Sequence, residues 1–126
     1  MKILDANMIL RYLINDNEAM AKQTESIITN SVVLILPEVI AEVVYVLSGV
    51  YHQERTAISS GLQQFLKIKN VTTNCGNTIS TALRLYMENR LDFVDCLLCA
   101  YHMEYQHEIC TFDKKLNRLI HHTSIT

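Results

Sequence analysis

Proline occurs once and glycine three times in 126 residues, which excludes a collagen-like or low-complexity chain. No apolar run approaches the about 20 residues of a membrane-spanning helix; the run Val32 to Leu36 already stops at Pro37. A secretory leader is not expected either, since Asp5 interrupts the apolar start. Together these absences point to a cytoplasmic protein. An excess of charge is also lacking: 11 Lys and Arg stand against 13 Asp and Glu, a formal net charge of −2. No strong overall field therefore points to nucleic acid. The length suits one domain that buries its core without disulfides or a structural metal.

Four cysteines are present, Cys75, Cys96, Cys99 and Cys110. Cys96 and Cys99 have the spacing of a zinc knuckle or redox pair, with His102 following at helical spacing. Cys75 and Cys110 form no second pair, however, and the residues between Cys96 and Cys99 are leucines. Free, buried thiols in a reducing compartment are the simpler reading. The sequon Asn70-Val71-Thr72 carries no information in a cytoplasmic chain.

Apolar periodicity predicts alternating short strands and helices. Lys2 to Asp5 reads as a buried strand and Asn7 to Ile14 as a helix. Asn17 is suited to cap a second helix reaching about Thr29, with Glu18 in its first turn. The β-branched run Val32 to Leu36 reads as a second strand. Pro37 fits the first position of a helix to about Gly49, with Val39, Ile40, Val43, Val44 and Leu47 on one face. A further helix is expected over about Gln53 to Leu66 and a short strand over Asn70 to Thr73. Helices follow around Ile79 to Met87 and from about Asp92 to Tyr105. His107 to Thr111 reads as a strand, and Lys114 to Leu119 as a short helix. Such alternation implies parallel pairing in a three-layer α/β/α sandwich with a central, mainly parallel sheet. Sites in such folds lie beyond the carboxyl ends of the strands.

Acids gather at those predicted ends. Asp5 closes the first strand, and Asp113 follows the strand expected to end near Thr111. Asp92 and Asp95 share one face at the start of a helix. Glu42 lies between Ala41 and Val43, one turn after Glu38. Each acid also has an ordinary reading: Asp92 and Asp113 as helix caps, Asp5 as a turn residue, Glu42 as a half-exposed helix position. Five carboxylates brought to one sheet edge would repel unless a cation compensates. Hard oxygen donors favour Mg²⁺ or Mn²⁺ over Zn²⁺, and such an ion suits phosphodiester hydrolysis.

The order of these blocks resembles a known family. Asp5-Ala6-Asn7 with Ile9-Leu10, Pro37 through Glu42 to Leu47, Asp92-Phe93-Val94-Asp95-Cys96-Leu97-Leu98 and Thr111-Phe112-Asp113-Lys114-Lys115-Leu116 look like the motifs of PIN domains. The VapC-type toxins of toxin–antitoxin pairs are the most similar group. The resemblance covers essentially the whole chain and implies a single PIN-like nuclease domain over residues 1–126. It further implies a Mg²⁺- or Mn²⁺-dependent endoribonuclease whose acidic quartet is Asp5, Glu42, Asp95 and Asp113, which would hold the metal. Asp92 is an added acid assisting them, and Asn7 and Thr111 match small polar positions that support the quartet. An RNA substrate, a homodimer and a cognate antitoxin protein are implied as partners.

Arg11, Lys114 and Lys115 are candidate RNA contacts, alongside Arg84, Arg90 and Arg118. Tyr12, Tyr45 and Tyr51 could stack on bases, although tyrosine at helical spacing more often packs. Alternatives come from other classes. A response-regulator receiver would need paired acids after the first strand and a mid-chain phosphoacceptor, yet no Asp lies between Asp16 and Asp92. A haloacid dehalogenase-like phosphoaspartyl enzyme needs an acid at position 7, where Asn7 stands. A metal-binding, RNA-binding domain without turnover is the third alternative. If the five acids serve metal, eight acids remain against 11 basic residues. The near-neutral total then averages an acidic pocket with a basic remainder.

Overall fold

A computed structural model describes residues 1–124. The chain forms two compact units, Met1–Asn74 and the segment from Cys75 onward.

The first unit holds β1 (Lys2–Ile3), α1 (Ala6–Ile14), α2 (Glu18–Asn30), β2 (Val33–Leu34), α3 (Pro37–Gly49), α4 (Arg55–Leu66) and β3 (Val71–Thr72). The strands form one parallel sheet in the order β1-β2-β3, with Ile3 opposite Leu34 and Val33 opposite Val71. Parallel neighbours require long crossovers, and the helix pairs α1–α2 and α3–α4 supply them. The strands are short, but the ladder continues past them: Ile35 N–H donates to Thr72 O at 2.8 Å. Leu4, Ile9, Val33, Ile35, Ile40, Val43, Leu62 and Phe65 build the core. Pro37 opens α3 as expected, and the helix buries Ile40, Val43, Val44 and Leu47. Its β-branched composition yields to proline at the first turn and to a continuous apolar face. Asn17 caps α2, accepting the Met20 N–H at 3.1 Å. α4 begins at Arg55 rather than Gln53, because His52 turns the chain at φ 53° and the Gln53 N–H donates back to Leu47 O.

The second unit is helical throughout its regular structure: α5 (Thr78–Glu88), α6 (Phe93–Tyr105) and α7 (Lys114–Ser124). α5 buries Ile79, Ala82, Leu83 and Tyr86, which recur at helical spacing, together with Leu85, whereas Met87, next in that pattern, is exposed. Tyr86 packs edge-on against Phe93 at 6.0 Å. α7 runs beyond the predicted Leu119, since Leu116 and Leu119 are buried and Ser124 Oγ donates to Ile120 O at 2.7 Å. The unit opens on a left-handed turn at Gly76 (φ 57°), where a Cβ would lie 3.1 Å from Tyr105 Oη.

The strand expected over His107–Thr111 is not formed. Its exposed residues His107, Glu108 and Cys110 offer no apolar face, and side chains take its carbonyls instead. His102 Nδ1 bonds His107 O at 2.9 Å, and Asn117 Nδ2 donates to Thr111 O at 2.9 Å. Asp113 is therefore placed by a helix start, not by a strand edge. No helix among the described residues is long and apolar enough to cross a membrane.

Candidate active site

In the first unit, β1 delivers Asp5 to the N-cap of α1, where Oδ1 accepts the Met8 N–H at 2.9 Å. This pins the carboxylate at an exposed position and satisfies one of the helix's free donors. Asn7 is exposed in the same first turn. Glu42 lies on the exposed side of α3 together with Glu38, four residues earlier. An acid in an apolar stretch of sequence faces water when the apolar residues occupy the opposite side of the helix.

Arg11 has a tight local assignment. Its Nη1 donates to both Asp16 oxygens, at 2.7 and 2.8 Å, and its Nη2 donates to Tyr51 Oη at 3.0 Å. The hydrogen bond with Tyr51 and the charge of Asp16 raise its pKa further above the ordinary value. Tyr12 packs against Phe65 with ring centroids 5.8 Å apart, whereas Tyr45 is exposed.

In the second unit, Asp92 occupies the N-cap position of α6 without a side-chain capping bond, and Asp95 lies in the first turn. Asp113 starts α7, its Oδ1 accepting the Leu116 N–H at 2.8 Å. Thr111 Oγ1 accepts the Asp113 N–H at 3.0 Å, so Thr111 orients the acid beside it. Asn117 in turn holds Thr111 through its carbonyl. Asn117 escaped the sequence reading; its signal was its position one helical turn after Asp113. Burial pushes the Asp95 carboxyl up, and the charges of Asp113 and Asp92 push it further the same way. Asp95 thus feels the charges of both Asp113 and Asp92. Within neither unit do three His, Cys, Asp or Glu groups among the described residues stand close enough to hold an ion ready-made. The donors nonetheless suit a hard cation in kind: carboxylate oxygens, one of them resisting charge because of burial and then its neighbours.

Cys75, Cys96 and Cys99 are buried and in no disulfide, while Cys110 is exposed rather than buried as expected. Burial pushes the Cys99 thiol up, the opposite of what a reactive or metal-binding thiolate requires. His102, the nearby imidazole, is already bonded to His107 O and, at 2.7 Å, to Ser124 Oγ.

A family model of the PIN domain matches residues 2–121. The match spans nearly the whole chain, which belongs to the PIN domain family. Proteins of that family are generally metal-dependent nucleases with a three-layer α/β/α fold, the class expected from the alternation of strands and helices. No curated protein and no solved structure matches the chain.

Proposed function

We propose that this protein is a Mg²⁺- or Mn²⁺-dependent endoribonuclease acting as the toxin of a toxin–antitoxin pair. The observation that supports the metal reading is the placing of Asp92, Asp95 and Asp113 at the starts of α6 and α7, where burial and then the charges of Asp113 and Asp92 raise the Asp95 carboxyl. Family membership supports nuclease chemistry. The RNA substrate and the toxin role rest on the likeness of the four sequence blocks to VapC-type proteins. The match over 2–121 also supports reading residues 1–126 as one nuclease domain.

On this reading Asp5, Glu42, Asp95 and Asp113 hold the ion, with Asp92 assisting. When bound, a divalent ion lowers the pKa of water and offsets charge on the phosphoryl oxygens. The chain's own part is positional. Thr111 and the first turn of α7 keep Asp113 in one orientation, and α1 does the same for Asp5. Asn7 supports Asp5 from the same turn, and Glu42 orients the attacking water. Lys114 and Lys115 contact RNA. Arg11 is the weaker of the proposed RNA contacts, because Asp16 and Tyr51 already occupy its guanidinium. A homodimer bound by a cognate antitoxin in the cytoplasm completes the proposal.

The test is incubation of the purified protein with a mixed RNA pool in Mg²⁺, in EDTA, and as Asp5→Ala. Cleavage in Mg²⁺ alone is expected, with a loss of at least about 100-fold in the variant, since even outer-sphere partners of metal ligands are worth 10–100-fold. A cleavage pattern that survives EDTA or the substitution would overturn the metal-nuclease reading.

A further inference from the structure

The second unit carries a cleft of about 330 Å³. Arg90 on one wall and Lys115, Arg118 and His122 on the other line it, over the buried side chains of Leu91 and Leu119. Lys115, Arg118 and His122 recur at i, i+3 and i+7 along α7, so one helix face presents all three. None of the cleft's lining residues is acidic. Arg90, Lys115 and Arg118 make no ion pair among the described residues. The adjoining cleft of about 280 Å³ is different, because there Arg84 faces Glu88 at 3.8 Å. Three exposed cations with no counter-charge on one small concavity repel one another, and a polyanion relieves that repulsion.

The walls also lead to the acids. Arg90 and Leu91 run directly into Asp92, and Lys115 lies two residues after Asp113. Between Thr111 and Asp113, Phe112 is wholly exposed. A phenyl ring in water offers a face on which an unpaired base can stack, whereas a base inside a duplex cannot reach it.

We propose that this cleft binds the backbone phosphates of single-stranded RNA flanking the cleaved bond, with a base stacked on Phe112. The proposal rests on the nuclease reading for the position of the cut, but its test is a binding measurement made in EDTA. A fluorescein-labelled single-stranded RNA of about 12 nucleotides is titrated by fluorescence anisotropy across a range of KCl concentrations. Each single-strand phosphate contact contributes about 0.7 to the slope of log affinity against log salt. Arg118→Gln is expected to reduce that slope by about 0.7, and Lys115→Gln with Arg118→Gln by about 1.4. The double variant should weaken binding at least about tenfold near 0.1 M KCl. Phe112→Ala should weaken binding with the slope unchanged, because stacking releases no counterions.

Lys67→Gln with Lys69→Gln, an equal loss of charge in the first unit, is the control and should bind as the wild type does. Equal weakening in the control and cleft variants would overturn the proposal, as would no effect in either. An unaltered affinity in Phe112→Ala, or equal affinity for duplex RNA, would overturn the single-strand assignment. Polyglutamate bound as tightly as RNA, and lost in the same variants, would make an acidic protein segment the occupant instead. If binding follows the cleft variants but Mg²⁺ leaves the RNA intact, the cleft stands and the nuclease reading falls. If Mg²⁺ cleaves RNA that the cleft variants bind normally, the cleft falls and the nuclease stands.

Discussion

Asp95 shows how one side chain carries both a cost and a use. Burial and the neighbouring charges of Asp113 and Asp92 raise its carboxyl pKa above the ordinary 3.8. For an acid so shifted, the native state binds more protons than the unfolded chain over the interval between the two pKa values. Stability therefore falls as pH rises through that interval, and the full cost persists above it. In EDTA, Asp95→Asn should gain on the wild type between about pH 3.5 and pH 7, by about 0.5 kcal/mol after solvent screening, the size of a like-charge pair on one helix face. Thermal melts at the two pH values check this, and a difference independent of pH would contradict it. The Asp92–Asp95 spacing was legible in the sequence because it is local. The approach of Asp113 was not, since it depends on how α6 and α7 pack. Arg11 illustrates the same limit: its partner Tyr51 lies 40 residues away, and no local pattern announces that bond.

At the scale of elements, two of the acids are also helix caps, so removing them has two effects that can be separated. Asp113 accepts the Leu116 N–H and Asp5 the Met8 N–H. Asparagine caps about as well as aspartate, whereas alanine costs about 1 kcal/mol. Asp113→Asn should thus melt within a few tenths of a kcal/mol of the wild type in EDTA yet lose metal binding. Asp113→Ala should lose both, as thermal melts with and without Mg²⁺ would show. Equal destabilisation by the two substitutions would contradict the capping role.

The helices were legible because their signals are local: Asn17 as a cap, Pro37 at a first turn, and the repeat from Ile79 through Leu83 to Tyr86. The segment His107–Thr111 was misread for the converse reason. Strand formation depends on a pairing partner elsewhere in the chain, and here His102 and Asn117 take the carbonyls instead. The acids could be found without the strand, because Thr111 and Asp113 hold their positions through a turn and a cap.

For the molecule as a whole, the near-zero net charge conceals an uneven distribution. If Asp5, Glu42, Asp92, Asp95 and Asp113 serve a metal as proposed, the remaining chain is formally +3. Within the second unit, Arg90 precedes Asp92 and Lys114, Lys115 and Arg118 follow Asp113; none of these cations makes an ion pair among the described residues. A divalent ion that binds the native state but not the unfolded chain should stabilise it by about 2.7 kcal/mol at a hundredfold excess over Kd. Calorimetry should show that gain in the wild type, its disappearance in EDTA, and its absence in Asp95→Asn. Metal-independent melting of the wild type would contradict the assignment.

Hydrolysis of RNA by water activated at these acids is read from the chemistry of the new ends. RNA cut by the wild type in Mg²⁺ is expected to carry 5′-phosphates and 3′-hydroxyls, with no cuts in EDTA. Fragments ending in 2′,3′-cyclic phosphate would show that the RNA's own 2′-hydroxyl attacked, and would rule out hydrolysis by activated water.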